Sequence, residues 1–115
     1  YATDWCGVKS GAQVDKFKEM NLTKESAKFV KCPMIKESPV SVECRVKEIK
    51  ELGSHTMFIA EVVAINVDEK YIDNKGAFDI TKCDLMAYAN GNYLAMGKKL
   101  GKFGFSVKKK KKNKK

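Results

Sequence analysis

The hydrophobic period of this 115-residue sequence changes after Pro39, and this change constrains the fold more than any other feature. Beyond Pro39, apolar side chains occupy every second position and polar ones such as Glu43 lie between them. The apolar positions are Val40, Val42, Cys44, Val46 and, less strictly, Ile49. Alternation with a period of two predicts a β-strand that has one buried face and one face in water.

A second β-rich run follows at residues 57–67, with the sequence MFIAEVVAINV. Its length, its β-branched content and its few polar interruptions predict a strand that is buried on both faces. Leu52, Gly53 and Ser54 indicate a turn between the two runs. Two consecutive strands joined by a short turn predict an antiparallel hairpin.

The other segments of the body are shorter. Residues 12–20 carry an apolar residue at every third position, which predicts a short helix with one apolar stripe. The Asn-Gly-Asn sequence at 90–92 is a strong turn signal within the glycine-punctuated stretch 85–107. We therefore expect a mainly β chain with one or two short helices, in which residues 1–107 form one domain without an internal linker.

The positive charge is concentrated at the end of the chain. Seven of the last eight residues, 108–115, are lysines, and setting them aside lowers the net charge from +9 to +2 on the first 107 residues. A block of like charges repels itself and cannot pack, so we expect a disordered polylysine tail. A nucleic-acid or membrane-surface arm is the less favoured alternative, and steep salt dependence of DNA binding would indicate it.

The cysteines and the single histidine do not suggest a metal site. Cys6, Cys32, Cys44 and Cys83 form no C-x-x-C pair, and His55 has no second histidine or cysteine nearby in the sequence. A structural zinc site needs four ligands, usually in paired spacings, so we expect no metal. With no signal peptide and no apolar run of the length that a membrane helix needs, we expect a cytoplasmic protein with reduced thiols.

Four segments, in order along the chain, resemble the flavin reductase-like family of FMN-binding split-barrel proteins, in particular its flavoredoxin-like clostridial branch. Their sequences are CGVKSGAQVDKF at 6–17, SPVSVEC at 38–44, LGSHTMFIAEV at 52–62, and YLAMG with LGK at 93–102. They are similar to the family patterns C-G-x-x-S-G-x-x-V-D-K-F, S-P-x-x-x-E-C and G-x-H-T-x-F-I-G-E-V, and to its Y-x-x-M-G ending. One position departs from these patterns, because Ala60 stands where the family usually has glycine.

The resemblance covers residues 1–107 and corresponds to the later part of the family's domain. It implies a split β-barrel and a homodimer that binds FMN, or in some members FAD, near the dimer interface. Because the chain begins in mid-element and its two long strands have too few partners to close a barrel, we expect the domain to be incomplete at its N-terminus. Members of the family pass hydride from NADH or NADPH to flavin, or carry electrons to other acceptors.

The loop before the predicted helix is the first candidate cofactor site. A flavin phosphate requires N–H donors, small hydroxyls and a cation, and Ser10, Gly11 and Lys16 offer all three. By resemblance, this loop approaches the flavin or the partner subunit. The alternative is an ordinary loop and helix cap with a solvated Lys16, and the two interpretations carry about equal weight.

His55 is the candidate catalytic residue. The G-x-H-T resemblance implies that it faces nicotinamide or flavin, where an imidazole can donate a hydrogen bond or carry a proton. The alternative is a turn histidine bonded to the backbone. Thr56 can supply a hydroxyl and Tyr93 can stack on a flat ring, although a strand-forming threonine and a core aromatic are the ordinary roles of these residue types.

The leading functional hypothesis is a flavin reductase-like NAD(P)H:flavin oxidoreductase. The same fold is also compatible with a non-catalytic, FMN-binding electron-carrier module or with an inactive fragment of one. A basic nucleic-acid binder depends on the lysine tail alone, so deletion of residues 108–115 would abolish its binding and leave flavin binding intact.

Overall fold

The computed structural model describes residues 1–108. Its helices and strands are α1 (Ala2–Val8), α2 (Lys16–Glu19), β1 (Lys24–Glu25), β2 (Met34–Ile35), β3 (Val40–Glu51), β4 (Thr56–Val67), β5 (Met86–Ala89) and β6 (Asn92–Ala95). Short 3₁₀ turns cover Glu69–Tyr71, Ile80–Lys82 and Phe105–Val107. The chain divides into two compact units, the first spanning Tyr1–Phe78 and the second beginning at Asp79.

The antiparallel hairpin of β3 and β4 dominates the first unit and confirms the hairpin expected from the sequence. Two irregularities interrupt its ladder: β4 has one extra residue, Val63, opposite the Glu43–Cys44 step, and β3 has one extra residue, Lys47, between Val46 and Glu48. The second irregularity explains why Ile49 departs from strict alternation, since an extra residue shifts the side chains that follow to the other parity.

The two irregularities keep one face of the hairpin apolar over its whole length, because directly paired residues lie on the same face of a sheet. The cross-strand pairs on this apolar face are Val42 with Ile65, Cys44 with Val62, Val46 with Ala60, and Ile49 with Phe58. The opposite face carries polar pairs such as Ser41 with Asn66 and Arg45 with Glu61.

The apolar face is open rather than buried. The exposed fraction of its large side chains ranges from 50% for Val46 to 63% for Ile65. The expectation that residues 57–67 lie buried on both faces is therefore wrong for the described chain, although their assignment as a strand is correct. A two-stranded ribbon buries little by itself, because each strand has only one neighbour.

Glu43 reverses the expected burial of its strand. The alternating pattern places this residue on the face in water, but it is 2% exposed. Its carboxylate accepts hydrogen bonds from the backbone N–H groups of Lys28, Phe29 and Val30 and from the Asn66 side chain. These donors replace the hydration that burial removes, which is why a charged side chain is retained there.

The two helices near the N-terminus are both short, as expected. α2 covers only Lys16–Glu19, however, and not the whole of residues 12–20. The Asp15 carboxylate accepts hydrogen bonds from the N–H groups of Phe17 and Lys18, at 3.0 and 3.3 Å, and so caps the helix at this point. The preceding residues form a turn in which Gln13 and Val14 both donate to the Ser10 carbonyl.

The segment between α2 and β3 forms a small hairpin. Strands β1 and β2 pair over only two residues each, with Lys24 opposite Ile35 and Glu25 opposite Met34. At the base of this hairpin, the Thr23 N–H lies 3.0 Å from each carboxylate oxygen of Glu37. Residues 26–33 form the connecting loop, and the Glu43 carboxylate binds its middle.

The second unit is built on the hairpin of β5 and β6, joined at Asn90 and Gly91. Both residues have positive φ angles, 49° and 74°, which fits the turn predicted from the sequence. Across the strands, the rings of Tyr88 and Tyr93 lie 4.9 Å apart between centroids. Among the described residues of this unit, Cys83 is the buried apolar side chain.

Within residues 1–108, none of the helices is long and apolar enough to span a membrane. The expected polylysine tail at 108–115 lies, apart from Lys108, outside the described residues.

Candidate functional site

A groove in the first unit is lined by residues 11–17 and by Lys24 of strand β1. It is a shallow groove of about 600 Å³ that is wide open to solvent. The groove is lined by Gly11, Ala12, Gln13, Val14, Asp15, Lys16, Phe17 and Lys24. Two of the three residues predicted to recognise a phosphate, Gly11 and Lys16, are therefore wall residues of one groove.

Ser10 lies at the entrance of the loop and fixes its conformation. Its hydroxyl oxygen accepts a hydrogen bond from the Ala12 N–H at 3.3 Å, and its carbonyl closes the turn that follows. The hydroxyl proton remains available to a ligand because the oxygen serves as the acceptor in this contact. The next N–H, that of Gly11, has no acceptor among residues 1–108 and thus remains available as a donor.

Lys16 is half-buried and belongs to both the groove and the packing of α1. Its ammonium donates a hydrogen bond to the Cys6 carbonyl, which ties the end of α1 to the groove. An ammonium carries three N–H donors, so this contact leaves further donors for an anion. The expected alternative, an ordinary loop and helix cap with a solvated Lys16, is present in its loop and its cap, but Lys16 itself is half-buried.

Two wall residues were not identified as site residues from the sequence. The ammonium of Lys24 lies 5.0 Å from the centroid of the Phe17 ring, a cation–π geometry that places a second cation at the groove. Phe17 belongs to the expected apolar stripe, so its position was predictable as a packing residue. Lys24 lies in a segment without periodicity, and nothing in the sequence singles it out.

His55 and Thr56 lie at the tip of the β3–β4 hairpin and are absent from the lining of the groove. The His55 carbonyl accepts from the Leu52 N–H at 2.8 Å and closes the turn, and its Nδ1 lies 2.8 Å from the Ser54 hydroxyl. The Thr56 hydroxyl donates to Glu51 at 2.9 Å. The imidazole is exposed, and its Nε2 has no partner within residues 1–108.

Tyr93, the remaining predicted cofactor residue, belongs to the second unit. It pairs across the hairpin with Tyr88, and the planes of the two rings are inclined by 54°. Its ring is 45% exposed. Of the predicted residues, the structure thus brings Gly11 and Lys16 together in one groove, and Ser10 precedes them in the same loop.

The four cysteines are free: Cys6 is half-buried, Cys32 and Cys44 are exposed, and Cys83 is buried. In the part of the chain that the structure describes, no group of three or more histidine, cysteine, aspartate or glutamate residues is arranged to hold a metal ion.

Comparisons with known proteins identify the fold. The flavoredoxin of Desulfovibrio vulgaris (Miyazaki F) is 32% identical and superposes with a TM-score of 0.82, over 93% of this chain and 58% of that one. A putative flavin reductase with a split-barrel domain from Shewanella frigidimarina is 22% identical, with a TM-score of 0.70 over 89% of this chain and 52% of that one. The chain thus has a mainly β, split-barrel fold, as expected.

The sequence comparisons agree with the structural ones. An uncharacterized protein of Archaeoglobus fulgidus is 38% identical over 69 residues, which are 60% of this chain and 39% of that protein. The chain therefore spans well under two thirds of the length of these relatives. The model of the flavin reductase like domain matches residues 2–97, which is most of the chain. On this match, the chain belongs to the flavin reductase-like family.

Proposed function

We propose that this protein is a flavin-dependent oxidoreductase that binds FMN in the groove, takes hydride from NADH or NADPH and passes electrons through the flavin to a further acceptor. The observation that carries the proposal is that Gly11, Lys16 and Lys24 line one groove. That the ligand is a flavin is inferred from membership of the flavin reductase-like family.

The donor set of the groove fits a phosphorylated cofactor. A dianionic phosphate is bound well by cations, hydroxyl protons and exposed backbone N–H groups. Lys16 and Lys24 supply the cations, Gly11 the N–H and Ser10 the hydroxyl proton. Since Gly11 has no side chain, its backbone is open to close approach, and a Cβ added there would lie 3.9 Å from Lys16 Cε.

The groove lining holds one carboxylate against two cations. Asp15 lines the groove, but one of its oxygens accepts the N–H groups of Phe17 and Lys18. Hydrogen bonds of this kind satisfy the carboxylate locally and direct it toward the helix. The bound flavin would supply the hydride and electron chemistry, while the chain's residues bind and orient it.

His55 is proposed to act at the nicotinamide. Its exposed imidazole and unpartnered Nε2 support a donor that meets a ligand from outside the described chain. Thr56 is a weaker candidate as a donor, because its hydroxyl proton is engaged by Glu51. Tyr93 is proposed to stack on a flat ring, and its exposed aromatic surface supports this role.

The working form is proposed to be a cytoplasmic homodimer. The Val8 side chain at the end of α1 is 75% exposed and offers apolar contact area for a second copy. Four free thiols are typical of a reducing compartment. Light scattering of the purified protein measures the oligomeric state directly.

The apolar face of the β3–β4 hairpin is proposed to be the inner wall of the barrel. Its contiguous exposed valine, isoleucine and phenylalanine side chains support this assignment. The covering strands would be those that relatives carry in the remainder of their length, since this chain matches only 58% of the flavoredoxin.

Anaerobic rapid mixing of the FMN-loaded protein with NADH and, separately, NADPH tests the proposed activity. An oxidoreductase loses the visible flavin absorbance with at least one of the two nicotinamides, at a rate that saturates with nicotinamide concentration. An electron-carrier module retains the absorbance with both and loses it only with a chemical reductant such as dithionite. A persistent absorbance with NADH and NADPH would therefore contradict the proposed reaction.

A further inference from the structure

We infer that Lys24 is the cation by which the groove distinguishes a phosphorylated flavin from riboflavin, and that Glu43 is a positioning residue that holds Lys24 in place. This inference rests on the proposed function, since it concerns the same groove. It adds a specificity determinant, Lys24, which lies outside the four segments that carry the family resemblance, and a positioning residue, Glu43, which is the glutamate of the SPVSVEC segment and had no role assigned to it.

The ammonium of Lys24 is available to an anion, whereas that of Lys16 already donates one hydrogen bond within the protein. Lys16 donates to the Cys6 carbonyl. Lys24 forms no ion pair within the described residues, and its one recorded contact is the cation–π geometry over Phe17. A cation held beside an aromatic wall is placed without being neutralised, so its charge remains for a ligand.

The neighbouring carboxylate points away from the groove. Glu25 follows Lys24 in strand β1, and successive side chains of a strand lie on opposite faces. Accordingly, Glu25 lines a separate cavity with Asn66 and Asp68, while Lys24 lines the groove. The strand therefore separates a positive charge on the groove side from a negative charge on the other side.

Strand β1 is too short to hold Lys24 through strand pairing alone, because β1 and β2 pair over two residues each. The carboxylates of Glu37 and Glu43 fix the backbone on either side of this strand. At the base, Glu37 accepts the Thr23 N–H, and the Thr23 carbonyl accepts the Lys36 N–H at 3.0 Å. These contacts fix the backbone immediately before Lys24.

At the other end, Glu43 fixes the loop 26–33. Three consecutive N–H groups, those of residues 28–30, donate to its two oxygens at 2.6–3.1 Å. Because Glu43 belongs to the long strand β3, it anchors the small hairpin to the largest element of the unit. Loss of this anchor frees the loop, and through the loop it frees the strand that carries Lys24.

The test compares the dissociation constants of FMN and riboflavin for the full-length protein, measured by quenching of flavin fluorescence. Lys24→Gln is expected to weaken FMN binding by about tenfold, the size of one charge-assisted hydrogen bond, and to leave riboflavin binding unchanged. The matched control is Lys28→Gln, which removes the same charge from the same hairpin, away from the groove lining. This control is expected to preserve the FMN preference.

The role of Glu43 is tested with Glu43→Gln, alone and combined with Lys24→Gln. Positioning predicts that Glu43→Gln lowers the FMN preference in the parent protein and has no further effect on that preference once Lys24 is absent. A merely structural role would weaken both flavins equally, which would overturn the assignment of Glu43. If Glu43→Gln does not fold, Glu43→Asp keeps the charge but shortens the reach to the N–H groups of residues 28–30, and it is expected to lower the preference in the same way; an unchanged preference would overturn the role of Glu43.

The outcomes separate the inference from the proposed function. A parent protein that binds neither flavin contradicts the proposed function itself. A parent protein that binds FMN and riboflavin equally, or an unchanged preference in Lys24→Gln, leaves flavin binding intact and overturns the role of Lys24.

Discussion

The backbone N–H of Phe29 donates to the Glu43 carboxylate across 2.6 Å, and this contact joins an exposed loop to the long strand β3. Glu43 itself is almost completely buried, whereas the Phe29 side chain is 54% exposed. The N–H donors around the Glu43 carboxylate replace the water that it loses on burial. Because these donors come from the loop, the buried charge favours the one loop arrangement that supplies them.

Replacement of Glu43 by alanine is expected to release the loop 26–33. The three N–H groups that donate to its carboxylate would lose their acceptor, and a backbone donor without a partner exchanges its hydrogen faster with solvent. Hydrogen exchange followed by mass spectrometry should show faster exchange in peptides that contain residues 28–30. Arg45→Ala, an exposed position on the same strand, should leave these peptides unchanged; equal loss of protection in both variants would contradict the account.

The stability of the first unit is expected to fall in acid, below about pH 4.5. Burial raises the pKa of Glu43, but the hydrogen bonds from Asn66 and from Phe29, Lys28 and Val30 outweigh it, so the pKa lies below its ordinary value of 4.5. The hydrogen bonds from Thr23 likewise lower the pKa of Glu37 from 4.5. A lowered folded-state pKa gives stability that is present above the unfolded value and is lost as pH falls through the folded one.

Urea unfolding between pH 3 and pH 7 measures this dependence. The parent protein should lose stability below about pH 4.5, and Glu43→Gln should lose less over the same interval because one titrating group is gone. A pH profile of Glu43→Gln that parallels the parent would show that this carboxylate does not contribute.

Replacement of His55 by asparagine is expected to lower kcat/KM for the nicotinamide by at least about tenfold and to leave FMN affinity nearly unchanged. FMN affinity should be nearly unchanged because His55 lies at the tip of the β3–β4 hairpin and is not part of the groove lining. Steady-state kinetics and an FMN titration of the same preparation separate the two effects. Ser54→Ala removes the hydroxyl next to Nδ1 and is expected to have a smaller effect. Equal weakening of FMN binding by His55→Asn would place the residue at the flavin instead.

Val62→Glu is expected to destabilise the full-length protein by more than about 2 kcal/mol, because it places a charge on the proposed inner wall of the barrel. Thermal unfolding measures the effect. Lys50→Glu introduces the same side chain on the opposite face of the hairpin, where it also loses the exposed ion pair with Glu48, and should change stability by no more than about 1 kcal/mol. If both variants were equally stable, the apolar face would be exposed to water in the working protein.

Much of the fold was predictable from the sequence because the long strands carry strong periodic signals. The hairpin of β3 and β4 and the turn at Gly91 follow from alternation and from residues that accept positive φ. The length of α2 could not be predicted from the sequence. The Asp15 cap, after which the helix begins at Lys16, lies inside segment 12–20, whose apolar spacing indicates a continuous helix.

The site was predictable in part. Gly11 and Lys16, which line the groove, were candidates from the sequence because a loop of small residues followed by a lysine has the chemistry of phosphate binding. Lys24 was missed because its position depends on hydrogen bonds between segments distant in sequence. Glu43 was assigned to the face in water because alternation shows only which face of a strand a side chain lies on. It does not show that the loop 26–33 covers that face and supplies hydrogen-bond donors to Glu43.

Titration of FMN into the purified, flavin-free protein, followed by its visible absorbance, tests the central claim most directly. The account predicts a saturable shift of the flavin spectrum that ends at one FMN for each chain, and weaker binding when Lys16 is replaced by glutamine. A flavin spectrum that remains that of free FMN throughout the titration would contradict the account.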